Sequence, residues 1–378
     1  MTLEGPGFLL TVLSFLLVIG PLVFVHEMGH FLVGRYFGVH AETFSIGFGR
    51  EIAGWTDKRG TRWKIGWLPL GGYVRFKGDM NPASQPTADW LALPAEERNK
   101  TFQAKPVWQR FLIVAAGPAI NFVFAILIYI ALFGSFGEPR TPPVIAGIQE
   151  NSAAAAAGFE PGDRIVAIQG SRVERFEDIR TYVSLRPGQP LTFLVQREER
   201  RIELTGTPAS HVMRDRFGNE AKIGLLGIAP GAPQFISLGP IETVVASFRH
   251  TADTLDTMVT AIWQIITGQR SVKEMAGPVK MAQISGQQAS LGWLNLIEFM
   301  ALISINLGFI NLLPIPLLDG GHLLFYTIEA VRRKPLKPEA QEWAFRTGLA
   351  ALLALMIFVT LNDLSSLGVW RQLGGLIG

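Results

Sequence analysis

The sequence predicts a polytopic α-helical membrane protein of about four transmembrane helices, with a membrane-associated β-hairpin element and one extracytoplasmic α+β module. Three observations predict it. Residues 8–25 and 111–136 carry no charge, and each run approaches or exceeds the ~20 apolar residues that cross a bilayer as a helix. The chain is 48% hydrophobic and 17% charged over 378 residues, apolar for a soluble protein and suited to several spans joined by soluble parts. Between the spans the pattern changes to short alternating runs broken by turn residues, the signature of strands. A formal net charge of +3 is too small to argue for nucleic acid as a partner, which leaves membrane lipid. The absence of cysteine excludes disulfides and thiolate metal ligands. No basic lead-in or small-residue cleavage site marks the N-terminus as a secretory signal, so the first apolar run is expected to stay in the mature chain.

The first span is expected over residues 8–36, with Gly20-Pro21 loosening the helix just before His26-Glu27-x-x-His30. Two imidazoles four residues apart share one helix face and can hold a single Zn²⁺, with Glu27 placed as a base toward water. Three ionisable residues in five positions at membrane depth are expensive without a partner, and a metal is the simplest one.

Residues 40–79 alternate (Phe44, Ile46, Phe48; Trp63, Ile65, Trp67) around the turn Asp57-Lys58-Arg59-Gly60. This aromatic β element is expected to dip into the membrane interface, and its edge is suited to holding an extended peptide by main-chain pairing. Polar residues 81–105 read as loop. The second span, residues 107–136, contains Gly117-Pro118 and Asn121; an amide at that depth requires a hydrogen-bond partner, either as helix glue or as active-site support.

The segment 138–210 has the run Gly158-Phe159-Glu160-Pro161-Gly162-Asp163 leading into Ile165–Ile168, and is similar to a PDZ domain. Such domains bind peptide ends by strand addition. Residues 176–185 would be the groove helix and Leu191 to Leu204 the closing hairpin. Gln169 departs mildly from the Asn or Asp usual in that family. Residues 211–290 hold a further strand near 223–228 and an amphipathic helix over 240–268, with Arg249, Asp253 and Asp256 on its polar face. In the last segment, 291–378, a third span begins near Leu294 and runs into Asn311-Leu-Leu-Pro314-Ile-Pro316-Leu-Leu-Asp319-Gly320-Gly321. Two prolines there break the helix, which is tolerated at depth only within protein or beside a wet cavity. Asp319 is the candidate third ligand, leaving the fourth zinc position open. His322 reads as a packed structural histidine, and His40, His211 and His250 as surface residues. A last span is expected over 347–362.

Basic residues crowd the loops after the first and third spans (Arg35, Arg50, Lys58, Arg59 and others; Arg332, Arg333, Lys334, Lys337). By the positive-inside rule those loops are cytoplasmic, and both termini and the PDZ-like module are extracytoplasmic.

His26-Glu27-Met28-Gly29-His30, Gly117-Pro118-x-x-Asn121 and the Asn311 to Gly320 stretch together resemble the site-2 proteases, intramembrane zinc metalloproteases, and most closely their regulator of sigma-E protease branch. Gly47-Phe48-Gly49, Lys105-x-x-Trp108-x-Arg110 and Gly277-Pro278 also fit, so the resemblance spans nearly the whole chain. It implies a bacterial inner-membrane enzyme that cuts single-span substrates inside their membrane segments, either trimmed anti-sigma factors or remnant signal peptides. It also implies that the β element, around Gly47, Phe48 and Gly49, offers a strand edge to the unwound substrate. Asn311 or Asn121 would then support the transition state, and the PDZ groove would receive a peptide C-terminus. The enterobacterial relative has two tandem PDZ domains and this chain has room for one, so a tandem substrate filter does not carry over. The rival reading, a non-catalytic zinc-containing PDZ scaffold, leaves Glu27 without a purpose.

Overall fold

The computed structural model describes residues 7–78, 93–184, 186–214, 220–267 and 277–366. The loop expected over 81–105 lies outside them as far as residue 92. Among the described residues four helices are long and apolar enough to cross a membrane: α1 (Phe8–Tyr36), α2 (Val107–Phe136), α6 (Trp293–Leu312) and most of α8 (Pro338–Ser366). The described residues fall into two compact units, one drawn from 1–129, 248–258 and 273–378, the other from 130–247 and 259–272.

In the first unit, α1 packs against two partners. Val18 and Leu22 are buried with Leu296, Phe299 and Ile303 of α6. Phe31 is buried with Phe44 and Phe76 of the β element and Ile113 of α2. Small residues let the helices close up. A Cβ at Gly29 would strike the Ala116 carbonyl, and one at Gly308 would meet the Pro118 carbonyl. Association in lipid depends on such close backbone approach.

The β element is a sheet of four segments and not the simple hairpin expected from the sequence. Strands β1 (Ala41–Thr56) and β2 (Arg62–Phe76) each bend and pair twice. Phe44 lies opposite both Val74 and Trp63, while Trp55 also lies opposite Trp63. The side-by-side order is therefore 72–76, 41–46, 62–65, 53–56. Gly47 (φ +85°) and Gly49 (φ +83°) occupy the left-handed region where β1 changes register, a conformation that favours glycine. A hydrogen-bond knot ties the sheet to α1: Asp57 accepts from Arg35 Nη2 (2.6 Å) and Trp63 Nε1 (3.2 Å), and its other oxygen from the Arg59 and Thr61 amides.

After α6 the chain breaks, as the two prolines require, and α7 (Asp319–Arg332) begins on Asp319 itself. Leu317 is held at φ +84°, a costly conformation for a branched residue. Side chains at Gly320 and Gly321 would collide with the carbonyls of Leu312, Leu313 and Ile315, so the break folds tightly on itself. A helix absent from the sequence reading, α5 (Pro278–Leu291), packs against α1.

The second unit is the PDZ-like module. Its sheet has the order β6-β5-β7-β8, with β5 (Arg164–Ile168), β6 (Ser171–Arg172), β7 (Leu191–Arg197) and β8 (Arg200–Gly206) antiparallel. Helix α3 (Phe176–Ser184) buries Phe176, Ile179 and Val183 against Ile145, Ile165, Phe193 and Leu226. Two pairings carry the unit past the expected edge at Ser210. They join β9 (Ile228–Pro230) to β4 (Ile145–Ile148), and β10 (Gln234–Ile236) to β3 (Glu138–Arg140). Gln169 sits at φ +50° before Gly170 at φ +79°, a turn geometry that explains why Asn or Asp suits the position better. Helix α4 (Pro240–Ile266) is amphipathic as expected, with Ile241, Val245, Phe248, Val259, Trp263 and Ile266 exposed along its length. Two histidines expected on the surface are not fully exposed. His40 is half-buried, and His250 is half-buried with its ring 4.5 Å from that of Tyr129.

Candidate metal centre

The helical repeat of α1 brings His26 and His30 onto one face, and their Nε2 atoms lie 3.3 Å apart. Asp319, first residue of α7, reaches the same point: its Oδ2 is 3.2 Å from His26 Nε2 and 3.5 Å from His30 Nε2. These are the three residues the sequence singled out as ligands, and the fold assembles them. Among the described residues no Arg or Lys pairs with Asp319, and its Oδ2 is buried without a hydrogen bond.

The proton positions show what this cluster requires. His30 Nδ1 is 2.9 Å from the Ile113 carbonyl, an oxygen that can only accept. The neutral ring therefore carries its proton on Nδ1 and presents a bare Nε2. That lone pair faces an orphaned carboxylate oxygen and a second imidazole, all within 4.8 Å. Converging lone pairs repel unless a cation sits among them. Two nitrogens and one oxygen suit zinc, with a fourth position left for substrate or water.

Helix α2 forms the back wall. Gly117 lies midway between Ile113 and Asn121, and a Cβ there would overlap Nε2 and Cε1 of His30 and come to 3.0 Å from His26 Cε1. Asn121 is fully buried, and its side-chain amide is 3.0 Å from His26 Nδ1. It is not among the residues that line the cavity. Asn311 does line that cavity.

The cavity has a volume of about 550 Å³ and is bounded by Glu27, Gly72, Val74, Asn311 and His322 among others. Glu27 is buried beside the imidazoles, and the Val74 backbone amide hydrogen-bonds its carboxylate. His322 packs on the Phe345 ring (5.1 Å) and also lines the cavity, a placement that fits both a structural histidine and one that supports the site. Phe48 lines the cavity, but Gly47 and Gly49 do not, and β1 up to Ile46 is paired on both sides. Among the described residues the 72–76 segment of β2, beside Glu27, pairs with β1 on one side only, and Phe48 likewise has a single paired partner, Leu68. Alternation in the sequence identifies strands but not which of them ends a sheet, so this edge was not legible.

The second unit has its own cavity of about 630 Å³ between α3 and the 224–230 stretch, lined by Ile179, Val183, Leu226 and Ile228. Gly227 turns the chain there at φ +82°. The Gly224-Leu225-Leu226-Gly227 sequence was the available signal, and it passes for an ordinary strand end.

Comparison with known proteins agrees with this geometry. The sequence matches Peptidase family M50 over residues 14–355. A protein of Agrobacterium fabrum named "Putative zinc metalloprotease" is 47% identical over 361 residues, covering 94% of this chain and 96% of that one. "Metalloprotease MmpA" of Caulobacter vibrioides is 38% identical over 400 residues, covering 98% and 99%. The PDZ domain of an SdrC-like protein from Listeria monocytogenes aligns with 23% of this chain and 84% of its own at 15% identity and a TM-score of 0.18. With the family match running from α1 into α8, this chain is a zinc metalloprotease belonging to Peptidase family M50.

Proposed function

We propose that this protein is an intramembrane endopeptidase whose zinc is held by His26, His30 and Asp319, and that it cuts single-span membrane proteins inside their spans. One observation carries the reading. Two imidazole nitrogens and an orphaned carboxylate oxygen converge where the apolar helices α1 and α2 meet the start of α7, next to a buried glutamate.

Zinc supplies Lewis-acid chemistry at such a site, acidifying water and favouring the oxyanion of the scissile carbonyl. Glu27 takes the proton of the attacking water and delivers it to the leaving amine. Asn311, on the cavity wall, is positioned to donate to the substrate backbone or the oxyanion. A helical substrate hides its carbonyls, so it must unwind, and the main-chain groups it exposes need partners. The open 72–76 edge of β2 supplies them by strand addition. Substrates of this chemistry include trimmed anti-sigma factors and remnant signal peptides. The groove between α3 and β9 is suited to a peptide C-terminus. The basic loops favour an orientation in a bacterial inner membrane with the termini and the PDZ-like module outside.

The test compares the full chain with Glu27→Gln on a tagged single-span substrate in membranes, with zinc quantified in both. Retained zinc with loss of cleavage is expected. An active Glu27→Gln would remove Glu27 as the base. Zinc-loaded wild type that leaves every single-span substrate intact while cutting soluble chains would remove the intramembrane reading.

A further inference from the structure

Both imidazoles of the centre lean their outer nitrogens on one helix. Ile113 and Asn121 are two turns apart on α2, so the same face supplies a partner for His30 and a partner for His26. The two partners differ in kind. A backbone carbonyl only accepts and fixes the His30 tautomer outright, whereas a side-chain amide can donate or accept.

As placed, Asn121 directs Nδ2 at His26 Nδ1, and its own Oδ1 is buried without a hydrogen bond. Donation from Nδ2 would put the His26 proton on Nε2, toward Asp319 Oδ2, which likewise makes no hydrogen bond. Turning the amide about its last torsion exchanges two atoms of nearly equal size. Oδ1 then accepts a proton from Nδ1, and Nε2 becomes a bare donor like that of His30. Asn121 has no competing duty in front of the site. It is fully buried, it lies outside the cavity lining, and Ser304 Oγ on α6 donates to its backbone carbonyl at 2.8 Å.

We infer that Asn121 is a positioning residue for zinc: its amide oxygen holds the Nδ1 proton of His26, so that the ring presents Nε2 to the metal. The inference rests on His26 and His30 being ligands, as proposed above. Outer partners of metal-bound histidines fix tautomer and ring angle, and losing one typically costs ~10–100-fold in metal affinity.

Zinc affinity of the full chain, measured by chelator competition in detergent, tests this without any substrate. Asn121→Leu keeps the volume and removes the acceptor, and is expected to weaken zinc by ~10–100-fold. Asn121→Asp can only accept, and is expected to bind zinc at least as well as wild type. Thermal unfolding of both metal-free variants is followed in parallel. A role in helix packing alone would lower metal-free stability in Asn121→Leu and leave its zinc affinity at the wild-type value, and that result would overturn the inference. So would an Asn121→Asp protein as weak in zinc as Asn121→Leu, because the amide nitrogen would then be the essential atom. If Asn121→Leu does not fold, Asn121→Asp decides alone, with wild-type affinity in support and a loss of about tenfold or more against. His30→Ala separates the two levels of argument. If it keeps wild-type zinc affinity, the ligand assignment itself fails and Asn121 has nothing to position.

Discussion

Gly117→Ala isolates the role of the α2 wall with a single methyl group. A carbon needs about 3.5 Å from a ring atom. The added Cβ would come to 3.0 Å from His26 Cε1 and closer still to Nε2 and Cε1 of His30. The His30 ring must therefore retreat by roughly 1 Å, since contact distances near 3.5 Å leave no other room. It cannot swing freely, because its Nδ1 is bound to the Ile113 carbonyl at 2.9 Å. Metal–ligand distances tolerate only about 0.2 Å, and a misplacement of ~1 Å costs on the order of 10²-fold in rate. That is about 2.7 kcal/mol. The effect on the helix has the opposite sign, since replacing an interior glycine with alanine favours a helix by roughly 0.5–1 kcal/mol. The expected outcome is a metal-free protein at least as heat-stable as wild type that binds zinc poorly and cleaves ~10²-fold more slowly. Thermal unfolding of metal-free protein, chelator competition and a substrate time course read the three quantities. An alanine variant that keeps zinc affinity and cleavage within a factor of about three, well short of the ~10²-fold expected, would refute the wall. So would a collapse of metal-free stability, which would make Gly117 a packing glycine.

Two further perturbations follow from the same coordinates. Arg110 Nη2 pairs with Glu329 at 3.2 Å, and the glutamate side chain is 7% exposed; its other oxygen accepts from the Leu336 amide. Arg110→Met is expected to cost ~3–5 kcal/mol by stranding a buried charge, and Glu329→Gln in the same chain to recover much of it; unfolding curves that add independently would refute the coupling. In the PDZ-like module, Asp163 has a fully buried side chain gripped by Arg197 through Nε (2.8 Å) and Nη2 (2.9 Å). Burial alone would raise its carboxyl, but the Arg197 and Glu160 hydrogen bonds prevail and hold it below the ordinary aspartate value. Its folded pKa lies under its unfolded one, so its stabilisation is complete above about pH 4 and fades as pH falls from there toward the folded value. Amide exchange in β5 and β7 of the full chain should stay flat from neutral pH to that point and then quicken below it beyond the intrinsic trend. Arg197→Met should remove the dependence, and unchanged protection in acid would contradict the assignment.

The convergence of His26, His30 and Asp319 was legible because it is written in side chains that lipid penalises. His26, Glu27 and His30 fall four residues apart or less in an apolar helix, and Asp319 stands in a run broken by two prolines; neither arrangement survives in a membrane without a purpose. What escaped the sequence was carried by backbone or by distant pairing. The Ile113 carbonyl has no signature in a sequence. Gly117 looks like any small residue of a packed helix until the rings it admits are in place. The strands of the β element were visible as alternation, yet their order was not, because Phe44 pairs with both Val74 and Trp63 and nothing in a period of two chooses between partners. Gly47 to Gly49 lies where β1 bends, and there Phe48 keeps a single paired partner, Leu68. His250 read as exposed because its partner Tyr129 lies on another helix altogether.

The three stretches that carry His26 to His30, Gly117 to Asn121 and Asn311 to Gly320 are best understood as three solutions to one positional problem. A helix delivers two histidines at a fixed spacing, but each ring still turns about its own torsions, and a metal site needs those turns fixed before the ion arrives. Helix α2 fixes them from behind by offering a carbonyl at Ile113, an empty place at Gly117 and an amide at Asn121, at i, i+4 and i+8 along one face. The carboxylate that joins them comes from far along the chain, and no helix spacing can deliver it. It is placed by ending α6 early and restarting the helix on Asp319, with the strain of Leu317 at φ +84° held by the tight fold around Gly320 and Gly321. Loosening that break should then release Asp319 while leaving both histidines in register, so zinc affinity and helix stability are separable properties of this site.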